Sequence, residues 1–128
     1  MIELSKNNSK AEQLSFLEDS GDFPIGIKRV YWIYGIEKDV ERGNHAHLNS
    51  GRIIVCLQGS TDITIENIAC EIRTYHLHKP TQALFYPRNH WINLKIAKGS
   101  VVLARASCLY EQDKVEIAYP KFKQMILS

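Results

Sequence analysis

The sequence predicts an all-β protein, either a sandwich or a barrel. Short runs rich in β-branched and aromatic residues follow one another along the 128-residue chain. Glycine, proline and asparagine separate these runs at turn-like positions. The middle of the chain has no helix-capping signal followed by apolar periodicity, and only residues 119–127 have a helical pattern. Many short strands with such punctuation are typical of sandwiches and barrels.

The predicted elements follow from these runs in chain order. Residues 1–22 are polar and weakly patterned, and we expect 1–11 to be less ordered or to form an edge strand. A turn is predicted at 21–24. The apolar and alternating runs then predict strands at 25–34, 51–57, 61–66, 69–77, 83–86, 91–96 and 100–107. The length fits one domain that spans residues 1–128.

Composition narrows the classes of function. Hydrophobic residues make up 45% of the chain and charged residues 23%, which is ordinary for a soluble globular protein. The net charge is only +2 and the sequence has no basic run, so we expect no nucleic-acid partner. The longest apolar runs are short and the N-terminus has no apolar signal region, so we expect no membrane span or secretory signal. Three widely spaced cysteines predict reduced thiols and a cytoplasmic protein.

The segment 42–47, which reads RGNHAH, is the strongest functional signal. If it is extended, His45 and His47 point to the same side of a sheet. Cupin barrels bind a metal through such a pair, a nearby Glu and a later His. In this sequence Arg52 occupies the Glu position and Ile92 the position of the later His, with His90 two residues earlier. A cationic arginine beside two histidines repels a divalent metal, so we predict no metal ligand set.

An acid–base role requires fewer side chains than a metal site. A neutral imidazole can accept a proton near physiological pH, and two neighbouring imidazoles disfavour each other's protonation. Arg42 can bind a phosphate bidentately, and Gly43 lets the backbone approach a ligand closely. The simplest alternative is that His45 and His47 only line a barrel mouth. The second His-x-His, at 76–78, has no anchoring arginine and is interpreted as an exposed or edge-strand pair.

Three blocks carry a family resemblance: IKRVYWIY at 27–34, RGNHAH at 42–47 and IVCLQGS at 54–60. Together they resemble the sugar-nucleotide 3,4-ketoisomerases, the WxcM-like cupins that act on dTDP-4-keto-6-deoxyglucose. The YPKF segment at 119–122 is similar to the closing segment of that family. The resemblance extends over residues 12–126. It implies a small jelly-roll cupin with a short C-terminal helix that works as a homodimer, without a metal or redox cofactor.

The resemblance also implies a reaction and a site. The substrate is a dTDP-linked 4-keto-6-deoxy sugar, from which His47 removes the C3 proton with support from His45. An enediol forms, a proton returns at C4, and the product is the 3-keto sugar. Tyr34 is the implied nearby hydroxyl. The residues implied to bind the substrate are Arg42, Arg29, Lys28, Gly43, Arg52, His90 and Trp91.

Four departures from the family pattern keep an alternative open. The stretch 8–11 differs from the usual Asp-x-Arg-Gly, and Asn44 replaces an aromatic residue. Gly-Arg at 51–52 replaces a Glu-Gln pair, and Ile92 follows Trp91 where a His is common. The alternative is a non-catalytic cupin that binds a nucleotide sugar or partners another enzyme of polysaccharide biosynthesis. A metal-dependent oxygenase or epimerase is a third possibility.

Overall fold

The computed structural model describes residues 1–8, 13–16 and 27–127. The predicted turn at 21–24 and the first two residues of the strand predicted at 25–34 lie outside the described residues. So do residues 9–11, which hold most of the first departure from the family pattern. No helix in the described part of the chain has the length and apolar character needed to cross a membrane.

The prediction of an all-β fold with a short C-terminal helix is confirmed. The strands are β1 (Ile2–Glu3), β2 (Ser5–Asn8), β3 (Gln13–Phe16), β4 (Arg29–Ile33), β5 (Val40–His47), β6 (Arg52–Gln58), β7 (Thr61–Glu66), β8 (Ile72–Leu77), β9 (Gln82–Tyr86), β10 (Trp91–Ile96), β11 (Val101–Ala106) and β12 (Val115–Glu116). A 3₁₀ turn spans Tyr110–Gln112, and helix α1 spans Tyr119–Leu127.

The strand predicted from residue 69 begins three residues later, because an asparagine organises the preceding turn. The Asn67 side-chain oxygen accepts hydrogen bonds from the backbone amides of Ala69 and Glu71, at 2.9 and 3.0 Å. Cys70 lies between them with φ +64°. A side chain that satisfies two successive turn amides stabilises the turn over an extended conformation.

Two five-stranded antiparallel sheets share one core. The first has the order β1-β9-β6-β11-β4 and the second β12-β5-β10-β7-β8. The buried aliphatic residues of both sheets form a single cluster between them, as the alternation of β7 and β10 predicts. A smaller cluster covers the other face of the first sheet, where Leu4 packs with Ile53 and Val55. Strand β1 pairs with β9 at the edge of that sheet.

A β-bulge in β5 precedes the two histidines and sets the conformation of this part of the strand. His45 pairs with Ile92 and Gly43 with Asn93, so Asn44 is an extra residue that bulges out of the ladder. Gly43 and Asn44 both have positive φ, at +96° and +56°. A Cβ at Gly43 would lie 2.8 Å from the Ile92 carbonyl oxygen, so this position requires glycine.

Candidate active site

A cavity of about 380 Å³ lies between the two sheets, beside the bulged part of β5. Aliphatic side chains from β4, β6, β10 and β11 form much of its wall. Its polar lining comes from Tyr31, Glu41, Arg42, His45, His47 and Tyr86. An apolar cavity with a few convergent polar groups is the usual form of a small-molecule site.

The two imidazoles of β5 meet at the wall of this cavity. The Nε2 atoms of His45 and His47 are 3.0 Å apart, and their rings are nearly perpendicular, at 87°. His45 is half-buried and His47 is buried. At that distance one Nε2 carries a proton and donates it to the other, so the pair shares a proton at the cavity wall.

A buried ionic cluster supports His47 from the side of the ring that faces away from His45. Its Nδ1 lies 3.1 Å from Asp113 Oδ1 and 3.1 Å from Arg52 Nη2. Arg52 donates to Asp113 Oδ2, and Arg29 Nη2 donates to the same oxygen at 3.0 Å. The Arg52 side chain is only 1% exposed and that of Asp113 is 9% exposed. Such burial of charges requires mutual pairing.

The sequence did not predict Asp113. It follows the 3₁₀ turn and is 66 residues from His47 in the chain. The only available signal was indirect: an arginine within an apolar strand, as Arg52 is, needs a carboxylate partner. That signal does not identify which of the 14 acidic residues is the partner.

The electrostatics of the cluster keep His47 neutral. Burial, the positive charge of Arg52 and the neighbouring His45 together lower the pKa of His47 from 6.5 to about 4, although Asp113 opposes them. Burial alone would raise the pKa of Asp113. The charges of His47 and Arg52 and their hydrogen bonds outweigh burial and hold that pKa below its usual value. At neutral pH the site therefore contains a neutral imidazole between a carboxylate and a second imidazole.

The structure brings some of the predicted residues to the cavity. Arg42 and Gly43 line it together with both histidines. Arg29 is directed to Asp113 instead, and its guanidinium lies 5.4 Å from the ring centres of Tyr31 and Tyr110. Arg52 supports His47 from within the ionic cluster.

The other predicted residues lie elsewhere. Tyr34 is 70% exposed, because Tyr31 and Ile33 of β4 face the cavity and the alternate positions face outward. Tyr31, and not the predicted Tyr34, therefore lines the cavity together with the histidine pair. Lys28 is exposed at the start of the same strand.

His90 and Trp91 belong to other surroundings. The Nδ1 atom of His90 is 2.9 Å from the Arg88 carbonyl oxygen, and the residue borders a separate depression of about 220 Å³. Strand β10 starts only at Trp91, so His90 does not share the cavity face of Ile92. The Trp91 ring packs on Tyr119 and Phe122 of α1, with ring centres 5.1 and 5.7 Å away. Its contacts therefore attach the helix to the sheet.

The donor set at the histidine pair bears on the metal hypothesis. Within residues 1–8, 13–16 and 27–127, no three or more His, Cys, Asp or Glu side chains are grouped to hold a metal ion. The guanidinium of Arg52 occupies the neighbourhood of His47 Nδ1. The side chains found beside the pair do not fit a metal centre built on His45 and His47.

Comparisons with known proteins show the family of the chain. The family model "FdtA: WxcM-like, C-terminal" matches residues 1–126. The chain is 29% identical over 129 residues to the TDP-4-oxo-6-deoxy-alpha-D-glucose-3,4-oxoisomerase of Aneurinibacillus thermoaerophilus. That match covers 98% of this chain and 91% of the relative.

Two crystal structures are similar over nearly the whole chain. A 3,4-ketoisomerase from Helicobacter canadensis has a TM-score of 0.89 and 28% identity, with 98% of this chain and 95% of that one covered. QdtA, a sugar 3,4-ketoisomerase from Thermoanaerobacterium thermosaccharolyticum solved with TDP, has a TM-score of 0.88 and 29% identity, with 98% and 92% covered. The predicted fold class, a jelly-roll cupin with a short C-terminal helix, is confirmed.

Proposed function

This chain belongs to the WxcM-like family, since the family model matches nearly all of it, and from that premise we propose a specific reaction. The protein is an isomerase that moves the ketone of a dTDP-linked 4-keto-6-deoxyhexose from C4 to C3, in deoxysugar and surface-polysaccharide biosynthesis. One observation carries the proposal: the Nε2 atoms of His45 and His47 converge at 3.0 Å on the wall of a cavity large enough for a hexose. The named activities of the relatives support it.

The chemistry needs only proton transfers. The C4 ketone acidifies the C3 hydrogen, which His47 Nε2 accepts as general base. The C4 oxygen gains a proton to form the enediol, C4 is then protonated, and the C3 hydroxyl loses its proton to become the new ketone. No electron leaves the sugar, so the proposal includes no redox cofactor or metal. His45, at 3.0 Å, relays protons to and from His47, and Tyr31 takes the role of nearby hydroxyl that the sequence assigned to Tyr34.

The anionic part of the substrate is bound by Arg42 in this proposal. Arg42 is a lining residue of the cavity and is exposed, so it is accessible to a diphosphate. Arg29, which the family resemblance also implies to bind the substrate, is already paired with Asp113. Replacing Arg42 with Met should therefore weaken TDP binding, as measured by calorimetry, more than replacing Arg29 with Met.

We further propose a homodimer located in the cytoplasm, with residues 1–128 forming one domain. Strand β4 is at the edge of its sheet and exposes Val30 and Trp32, at 44% and 58%, and Tyr34 directly after it is 70% exposed. A second copy of the chain can cover this apolar edge. The three free cysteines are compatible with a reducing compartment. Analytical ultracentrifugation of wild type and Trp32→Glu tests the dimer, since the variant should sediment as a monomer.

A non-catalytic cupin that binds a nucleotide sugar remains the second candidate. It is favoured by Ile92, which is 2% exposed and lines the cavity opposite His45, where an ionisable side chain was expected from the family pattern. An apolar residue there provides no proton donor.

An NMR experiment separates the two candidates. The protein is incubated in heavy water with dTDP-4-keto-6-deoxyglucose, and the sugar signals are followed. The isomerase predicts loss of the C3 proton signal and the appearance of a 3-keto species. Replacement of His47 with Asn should abolish both while TDP still binds. Binding of the sugar nucleotide to wild type without exchange would support the non-catalytic candidate.

A further inference from the structure

The buried ionic cluster beside His47 contains several side chains that take no part in the proposed proton transfer. Its centre is the carboxylate of Asp113, which interacts with four side chains. Oδ2 accepts hydrogen bonds from Arg29 and Arg52. Oδ1 lies 3.1 Å from His47 Nδ1 and accepts a longer bond from Ser50 Oγ, at 3.3 Å. Two guanidiniums and one carboxylate give the cluster a net positive charge.

His47 Nδ1 has two neighbours with opposite hydrogen-bonding roles. A carboxylate can only accept a hydrogen bond, and a guanidinium can only donate one. Asp113 Oδ1 and Arg52 Nη2 are both 3.1 Å from Nδ1. If Nδ1 carries a proton it donates to Asp113, and if Nδ1 has a lone pair it accepts from Arg52. The location of one proton therefore selects between the two contacts.

That choice decides what the other nitrogen can do. A neutral imidazole has one protonated and one unprotonated nitrogen. With the proton on Nδ1, the Nε2 lone pair of His47 faces His45 and the cavity and can accept a proton. With the proton on Nε2, the same atom is a donor and His47 cannot act as the base.

The hydrogen bonds of the cluster favour the first arrangement. Arg52 has other acceptors, because Nη1 donates to Ser50 Oγ at 2.6 Å and to the Gly51 carbonyl at 3.1 Å, while Nη2 donates to Asp113. Asp113 Oδ1 would keep only the 3.3 Å bond from Ser50 if His47 did not donate to it. A buried carboxylate oxygen without a good donor is the more costly outcome.

We propose that Asp113 is a positioning residue that holds His47 in the Nδ1–H tautomer, so that Nε2 faces the cavity as a base. Arg29 and Arg52 keep Asp113 ionised for this purpose. The catalytic part of the inference rests on the proposed function, in which His47 removes the C3 proton. The tautomer itself is a property of the protein without substrate.

The direct test is the tautomer of His47 in the full-length wild-type protein, labelled with ¹⁵N in its histidines and free of ligand. Long-range ¹H–¹⁵N correlation spectra at neutral pH distinguish protonated from unprotonated ring nitrogens, and the signals lost in His47→Asn assign the ring. A protonated Nδ1 and an unprotonated Nε2 are expected. The reverse pattern overturns the proposal, whatever the turnover of the enzyme.

A variant pair tests the consequence for catalysis. Asp113→Asn presents an amide whose NH₂ group can donate to Nδ1, so the tautomer should switch. The kcat for the keto sugar should then fall about 100-fold or more, because a histidine in the wrong tautomer cannot act as the base, while KM changes little. Asp62→Asn is the matched control, since it removes a carboxylate from an exposed histidine, His76. It should retain wild-type kcat.

The outcomes separate the two proposals. If the wild type isomerises the sugar and Asp113→Asn keeps both the Nδ1–H tautomer and the wild-type kcat, the role of Asp113 is refuted and the proposed function survives. A fall in kcat with an unchanged tautomer also refutes it, since Asp113 would then act only on the fold. If the wild type does not isomerise the sugar, the proposed function fails, and the spectrum still decides whether Asp113 sets the tautomer.

Discussion

The protein contains two His-x-His pairs, one in β5 and one at the end of β8, and their geometries differ. In β5 the rings of His45 and His47 are perpendicular, with centres 4.6 Å apart and Nε2 atoms in contact at the cavity. At the end of β8 the rings of His76 and His78 are stacked at 28°, with centres 4.9 Å apart. Perpendicular rings bring nitrogens together, whereas stacked rings bring ring faces together. Only the first arrangement shares a proton.

Each pair also has an aspartate at one Nδ1 atom, which makes the comparison close. His47 contacts Asp113, and their side chains are 8% and 9% exposed. His76 contacts Asp62, and these side chains are 57% and 50% exposed. Water screens the second interaction but hardly reaches the first. In the proposed function, the same two residue types serve as an acid–base centre only where burial and convergence occur together.

The position of each strand explains the difference. Strand β5 lies between β12 and β10, and its bulge at Gly43 and Asn44 brings the histidines to the cavity between the sheets. Strand β8 is at the sheet edge, and both His76 and His78, which follows the strand, are exposed. A His-x-His motif therefore predicts that two side chains share a face, and the topology decides what that face contacts.

Removing the charge partner of each aspartate should give the largest contrast in stability. Arg52→Met leaves a buried carboxylate with one guanidinium fewer, and loss of a buried ionic partner costs about 3–5 kcal/mol in the free energy of unfolding. His76→Asn at the exposed pair should cost less than about 1 kcal/mol. Urea unfolding of both variants measures the difference. Equal losses would mean that the cluster around Asp113 is not desolvated as described.

Acidification should destabilise the protein through His47. Its pKa is lowered from 6.5 to about 4 by burial and Arg52, so the unfolded chain binds the proton more readily than the folded one. The stability contributed is present above pH 6.5 and is lost as the pH falls toward 4. Unfolding free energy should drop by about 2 kcal/mol between pH 7 and pH 5 on this account.

The His47→Gln variant is the control for that titration. Its unfolding free energy, measured in urea at the same two pH values, should fall by less than that of the wild type, because the titrating group has been removed. If both proteins show the same pH dependence, the pKa of His47 is not the cause.

Substitution of the glycine in the β5 bulge should give the smallest contrast in stability. Gly43→Ala forces a Cβ to within 2.8 Å of the Ile92 carbonyl oxygen at φ +96°, and we expect a loss of about 2 kcal/mol. Gly35 has φ +68° but no neighbour within 4 Å among the described atoms, so Gly35→Ala should cost about 1 kcal/mol from backbone strain alone. Thermal unfolding compares the two. A greater loss at Gly35 would contradict the crowding at Gly43.

Local periodicity predicted strands β4 and β6 to β11, but it did not predict β5, which carries the histidine pair. Strands 61–66 and 91–96 match β7 and β10 to the residue, because one face is apolar and the other polar. The same alternation correctly put His45 and His47 on one face. Asn44 is also understood from the structure: asparagine tolerates its positive φ and its side-chain oxygen accepts a bond from Asn93.

The remaining site features depended on packing that local sequence does not encode. Apolar and aromatic residues occur on both faces of β4, so the sequence pattern does not show which face is directed to the core. It therefore could not show that Tyr31 lines the cavity and that Tyr34 is exposed. Asp113 reaches His47 through the return of the chain along β12, a long-range contact without a local signal. Trp91 follows His90 but packs on α1, a contact that only the folded chain brings together.

The central claim is that convergence at the cavity makes one histidine pair catalytic and leaves the other inert. The most direct measurement is the rate of C3 proton exchange of dTDP-4-keto-6-deoxyglucose in heavy water, compared between His45→Asn and His78→Asn. We predict a wild-type rate for His78→Asn and a loss of about 100-fold or more for His45→Asn, with TDP binding intact in both. Equal rates in the two variants would contradict the account.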